Sequence, residues 1–171
     1  MKQFKTVLIA VSFMLGAIGF ANAQSSKIAH VGTQELIESM PAYQAAMSQL
    51  EKLENTYRAD IDELLKEAQS TNQRYQAEAS SRTEEENASR ARELQSTQER
   101  IVQFQQNAQK KLQEKETQLL RPVYEQARTA IQKVARAKGY DYVLDSTTGA
   151  GGVLLADGYD LANDVKKELG I

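Results

Sequence analysis

An uninterrupted stretch of 80 residues, from Ala42 to Arg121, contains neither glycine nor proline. Compact domains rarely run so far without a turn residue, so this stretch predicts very long helix rather than several short elements. Its composition agrees, because the Glu, Gln, Ala, Lys, Arg and Leu that dominate it lose little side-chain freedom in a helix. We therefore expect a mainly α protein.

Apolar residues in this stretch recur at alternating steps of four and three. That spacing places them along one stripe of a helix and is typical of a coiled coil. Two such runs occur, one on each side of residue 82. We call six of their members the seam, which consists of Tyr57, Ile61, Leu64, Ile101, Phe104 and Ala108.

The apolar repeat stops between the two runs, at residues 79–86. Thr83 followed by Glu86 has the pattern of a capping box at the start of a second helix. A reversal here would bring the two halves of the seam face to face, with Leu64 beside Ile101. We therefore predict a helical hairpin arm over 43–119 with its tip near 79–84. The alternative is a single continuous helix of ~120 Å that dimerises.

Short apolar segments flank the helical stretch, and they read as strands at 27–31, 140–145 and 153–156. Segments 24–42 and 120–171 would form one small β-rich body, and so few residues give a thin core. We therefore expect an oligomer in which several copies close the body. The residues predicted for this oligomerisation body are Ile28, His30, Val31, Tyr140, Tyr142, Leu144, Val153 and Leu155.

The first 23 residues have the features of a cleaved secretory signal. Two lysines precede a nearly unbroken apolar run from Thr6 to Phe20, and small residues follow at 21–23. A membrane anchor is the alternative, but a run of about 15 apolar residues falls short of the roughly 20 that cross a bilayer. No cysteine follows the run, so a lipid anchor is excluded. We expect a soluble protein exported to the periplasm.

Composition excludes several classes of function. The chain has no cysteine and one histidine, His30, and its formal net charge is −2. Disulfide scaffolds and cysteine-ligated metals are therefore ruled out, and there is no electrostatic reason to expect nucleic-acid binding. No serine lies in a nucleophile-elbow setting beside that histidine, so we expect no enzyme activity, no cofactor and no metal.

The segments at the two ends of the chain resemble the Skp/OmpH family of periplasmic chaperones, and the resemblance extends over residues 25–171. It is carried by 27–31, by 138–145, by 152–157 and by 160–165. The resemblance implies a homotrimer whose three helical hairpins enclose a cavity. In that cavity, family members hold unfolded outer-membrane β-barrel proteins without ATP. Barrel strands in water expose an apolar face and unpaired backbone, so they aggregate unless sheltered.

Apolar residues that the seam does not use are candidates for client binding, and they are Leu65, Tyr75, Val102, Leu120 and Tyr124. The charge of the arm departs from the basic arms of well-studied members, because residues 66–100 hold six basic and seven acidic side chains. Contact with lipopolysaccharide or a membrane surface is therefore left open. A coiled-coil scaffold that binds folded envelope partners is the alternative function.

Overall fold

The computed structural model describes residues 26–149 and 152–171, so the signal predicted at 1–23 lies outside the described residues. The fold is mainly α with a small sheet, as the sequence predicted. The elements in chain order are β1 (Ile28–Val31), α1 (Thr33–Glu38), α2 (Pro41–Glu78), a 3-10 turn (Ala79–Ser81), α3 (Glu84–Ala137), β2 (Tyr142–Asp145), β3 (Tyr159–Asp160) and α4 (Ala162–Leu169).

Helices α2 and α3 form a long antiparallel hairpin, which we call the arm. They contain 38 and 54 residues, which at ~1.5 Å per residue gives about 57 and 81 Å. The alternative of one continuous helix is wrong, because the chain reverses between them. The predicted capping box is confirmed: the Thr83 hydroxyl accepts from the Glu86 amide at 3.2 Å, and the Glu86 carboxylate accepts from the Thr83 amide at 2.9 Å.

Two prolines lie at the root of the arm, and one glycine ends α3 in the body. Pro41 occupies the first turn of α2, where its missing N–H costs nothing. Pro122 lies inside α3, and the helix continues past it to Ala137. Gly139 then adopts φ 72°, and the Tyr140 amide donates to the Ala135 carbonyl at 3.0 Å. This left-handed C-cap ends α3 as the sequence predicted.

The sheet has the strand order β2-β1-β3, and both pairings are parallel. The strand predicted at 153–156 is wrong for the single chain, since the third strand is Tyr159–Asp160, opposite Ala29 and His30. The physical reason is the parallel pairing. The chain must return from the carboxyl end of β2 to the amino end of β3, and the described residues 146–149 and 152–158 belong to that connection.

The core lies between one face of the sheet and the lower part of α3. Ala29 and Val31, each 1% exposed, point towards the helices, while Ile28 and His30 alternate to the opposite face. A second cluster, at the arm root, joins Met40 to α3. The first cluster consists of Ala29, Val31, Leu36, Ala130, Val134, Ala135, Leu161 and Val165, and the second of Met40, Val123 and Ala127. Across the described ranges, no helix is long and apolar enough to cross a bilayer.

Candidate functional site

The seam forms the contact between the two helices of the arm. Ile101 and Ala108 are buried, and the other four seam residues are half-buried. The rings of Tyr57 and Phe104 meet edge to face, with centroids 6.2 Å apart and planes at 76°. Tyr57 therefore contacts Phe104, which lies about one helical turn from Ala108 in α3. Both Tyr57 and Ala108 line the same shallow groove between the helices.

A polar cluster joins α2 to α3 near the tip of the arm, around the ring of Tyr75. The Arg90 guanidinium lies over that ring, 4.4 Å from its centroid, and the Tyr75 hydroxyl donates to Glu93 at 2.8 Å. Arg90 also donates to Glu78 at 2.6 Å. The hydrogen bond to Glu93 raises the pKa of Tyr75, whereas the bond from Arg90 lowers the pKa of Glu78. We call Tyr75, Glu78, Arg90 and Glu93 the tip cluster.

The tip cluster was missed in the sequence. Its partners are 12 and 18 residues apart, so no short-range motif links them. In the sequence alone, Arg90 and Glu93 have the appearance of an ordinary solvent-exposed helix face. The turn after α2 brings them into contact with Glu78 and Tyr75. Tyr75 is half-buried within this cluster and holds the two helices together, which leaves little of its ring for a client.

Leu65 and Val102 are exposed apolar residues on one side of the arm, and we call these two residues the lateral patch. Their exposed fractions are 41% and 42%. Each follows a seam residue by one position, which turns it about 100° around its helix. Because the helices are antiparallel, the two rotations lead to the same side of the hairpin. The contact between Glu78 and Arg90 sets the register, and it places Leu65 and Val102 at about the same height.

The other two candidates for client binding lie where the arm joins the body. Leu120 is buried, so its side chain contributes to packing rather than to an open surface. Tyr124 is 49% exposed and lies on the rim of two grooves. One groove runs along α3 past Leu120 and Arg128, and the other lies under the edge of β2.

The residues predicted for the oligomerisation body fall into three groups, which are buried, half-buried and exposed in the single chain. Val31 is buried within the chain, Tyr140 stacks on the Tyr159 ring at 5.7 Å, and Val153 is half-buried. His30 is half-buried and links its neighbours, with Nδ1 2.9 Å from the Ser146 hydroxyl and Nε2 3.2 Å from the Gly158 carbonyl. The remaining four are exposed and apolar, and they are Ile28, Tyr142, Leu144 and Leu155.

Asp145, at the end of β2, holds the start of α1. Gly32 offers no side chain to cap that helix, and the Asp145 carboxylate instead accepts from the Thr33 amide at 3.2 Å and the Thr147 amide at 3.0 Å. Both threonine hydroxyls also donate to it. Burial raises the pKa of Asp145, but these hydrogen bonds outweigh it and lower the pKa to about 2. The sequence did not reveal this contact, because its partners lie 112 residues apart.

Among the residues that the structure describes, no group of three or more His, Asp or Glu side chains is placed to hold a metal ion. The exposed apolar surfaces of the described structure include the lateral patch and one face of the three-stranded sheet.

Comparisons with known proteins agree with this architecture. Residues 27–169 match the family described as "Outer membrane protein (OmpH-like)". Among solved structures, the chain is similar to that of a proposed outer membrane chaperone (OmpH-like) from Caulobacter crescentus CB15, with a TM-score of 0.73 and 19% identity over 84% of this chain and 83% of that chain. At this identity the likeness concerns the fold. No curated protein matches the sequence.

Proposed function

The chain belongs to the OmpH-like outer membrane protein family, and from this premise we propose that it is a holding chaperone of the periplasm. It binds unfolded outer-membrane β-barrel proteins between its helical arms and prevents their aggregation without ATP. The signal at 1–23 directs export, and three copies assemble through the body into a soluble homotrimer. Neither cofactor nor nucleic acid takes part.

The observation that carries the proposal is the lateral patch on an arm only two helices thick. A two-helix hairpin has a single buried seam, so any apolar residue outside it faces solvent or a ligand. Met47, the two residues of the lateral patch and Tyr124 are each between 41% and 49% exposed. Leu65 lies 18 residues beyond Met47, which is about 27 Å along the helix.

Separated apolar sites suit a protein that must release its client without ATP. Full burial of one such side chain contributes about 1.5–3 kcal/mol, and partial burial contributes less. Each contact alone is therefore weak and short-lived. Several contacts on connected arms raise the overall affinity through effective concentration, while any one of them can dissociate freely.

The uncovered sheet face supports assembly into an oligomer. Ile28, Tyr142 and Leu144 lie together on the face opposite the helices, because Ile28 pairs with Tyr142 and His30 pairs with Leu144. All three are more than 40% exposed in the single chain. Contiguous apolar surface of this kind marks an interaction site, and copies of the same chain would cover it.

A dilution experiment tests the proposed function. An outer-membrane protein unfolded in urea is diluted into buffer with and without the mature protein, and light scattering is followed. The wild type at excess over client should suppress scattering. Unchanged scattering, together with saturable capture of one folded periplasmic partner, would instead support the scaffold alternative.

A double variant tests the lateral patch itself. Leu65→Ser with Val102→Ser should weaken protection about tenfold, since two partly buried apolar contacts are lost. Gln73→Ser with Gln103→Ser is the matched control, because both glutamines are exposed, uncharged and on the same arm outside the patch. Equal protection by the two double variants would show that clients do not use this surface.

A further inference from the structure

The two sides of the arm differ in charge. Buried or half-buried positions recur along the contact between the helices, at 64, 68, 71 and 75 in α2 and at 90, 94, 97, 101, 104 and 108 in α3. None of the ten residues that directly follow these contact positions is charged, and seven of them are Gln or Asn. Five of the ten residues that directly precede them are charged, and they are Glu63, Glu67, Arg74, Glu93 and Arg100.

The residues that follow the contact positions lie on the same side of the hairpin in both helices. Arg58 and Asp62 each follow a seam residue of α2, Gln105 and Gln109 each follow a seam residue of α3, and all four line one groove. The lateral patch lies on this side for the same reason. From Asp62 towards the tip, amides dominate this side. We call six of them the amide face, which consists of Gln69, Asn72, Gln76, Gln98, Gln105 and Gln109.

Most side chains of the amide face have no partner on the arm. Asn72 accepts from Gln76 at 3.4 Å. The other four make no side-chain hydrogen bond within the described part of the chain. Each amide offers two N–H donors and a carbonyl acceptor, whereas a lysine only donates and an ionised glutamate only accepts. The amide face therefore suits a neutral ligand that is both donor and acceptor.

The main chain of an unfolded polypeptide is such a ligand. Every residue except proline carries one N–H and one C=O. In an extended chain these groups repeat along one edge every two residues, which is about 6.8 Å. Neighbouring amides of the amide face on one helix are three, four or seven residues apart, or about 4.5, 6 and 10.5 Å along the axis. Flexible Gln side chains can therefore meet successive groups of one extended chain.

We propose that the amide face binds the main chain of an unfolded client, while the lateral patch binds its apolar side chains. The inference rests on the proposed function and names the part of the client that the arm recognises. Main-chain groups are the same in every sequence, so clients of either net charge bind. Strands that have paired in a barrel no longer offer these groups, so a client that folds leaves the amide face. The charged side of the arm stays in water.

Substitutions of opposite charge separate hydrogen bonding from electrostatic attraction. One variant combines Gln98→Glu, Gln105→Glu and Gln109→Glu, and a second has lysine at the same three positions. The client is an acidic outer-membrane protein, unfolded in urea and labelled with a fluorophore. Its binding is followed by anisotropy at about 0.5 M salt, which screens exposed charges. Both triple variants should bind more than about tenfold more weakly than the wild type, because each loses donors or acceptors.

The matched control carries the same changes of charge outside the amide face. Gln73, Gln103 and Gln106 are exposed and uncharged, and none of them directly follows a contact position. Replacing these three by glutamate, or by lysine, should change the affinity less than about twofold at the same salt concentration. Circular dichroism checks the helix content of every variant, and sedimentation checks that its mass in solution is that of the wild type.

A role of charge alone would give a different pattern. At about 0.1 M salt the lysine variant would bind the acidic client more tightly and the glutamate variant more weakly, and both differences would vanish at about 0.5 M. That pattern, equal effects of the triple variants and their controls, or a loss of oligomer mass confined to the triple variants would overturn the inference and leave the chaperone activity of the wild type standing. A wild type that binds no unfolded client would overturn the proposed function, and this inference with it.

Discussion

Two adjacent residues in α3 distinguish the packing of the arm from the surface that we propose for client binding. Ile101 is 2% exposed and lies in the seam, whereas its neighbour Val102 is 42% exposed and lies in the lateral patch. Ile101→Ala removes three carbon atoms, which at about 0.8 kcal/mol each gives about 2.4 kcal/mol. The cavity left behind brings the expected loss to about 3 kcal/mol. Val102→Ala should cost less than about 0.5 kcal/mol.

The assay is urea unfolding followed by circular dichroism, with all proteins at one concentration because assembly contributes to stability. Hydrogen exchange at the seam amides shows whether the loss is local to the arm. Protection of an unfolded client should follow the opposite order, with Val102→Ala weaker than Ile101→Ala wherever both are folded. Equal destabilisation by the two variants would refute the seam as the source of arm stability.

Two further predictions concern contacts outside the seam. Thr83→Ala removes the capping-box hydroxyl and should destabilise the arm by about 1 kcal/mol, measured as faster hydrogen exchange in the first turn of α3. Asp145 has a pKa lowered from 3.8 to about 2, so its carboxylate stabilises the folded state above about pH 4, and this contribution is lost as the pH falls towards 2. The contribution is about 1 kcal/mol after solvent screening, and Asp145→Asn should flatten the pH dependence of the unfolding midpoint in that window.

The parts of the fold that follow from local signals could be predicted from the sequence. The long gap without glycine or proline gave the helices, and the pause in the apolar repeat together with Thr83 and Glu86 gave the reversal between them. Gly139 is also a local signal, because this single residue, in a left-handed conformation, ends α3. The turn and cap signals act over a few residues, and the absence of glycine and proline acts along the whole stretch, so none of these signals depends on a distant partner.

The parts that depend on distant partners could not be predicted. Asp145 holds Thr33 across 112 residues, and Tyr75 holds Glu93 only after the arm has folded back. The apolar segment 153–156 has the composition of a strand, but composition does not say which edge is open to it. In the single chain the free side of β1 is taken by Tyr159 and Asp160. Leu120, a candidate for client binding, is buried where the arm joins the body.

The division between seam and lateral patch also limits how the arm can bind. A hairpin of two helices has one buried stripe, so adding apolar residues beside it increases binding without adding to the core. Too many would turn the arm itself into an aggregating surface. The lateral patch contains two residues, and charged side chains such as Asp62 and Lys66 lie close to it in sequence. Under the proposed function, an arm built in this way would hold an unfolded chain only through several weak contacts at once, and a client that begins to fold would withdraw its apolar residues from them one by one.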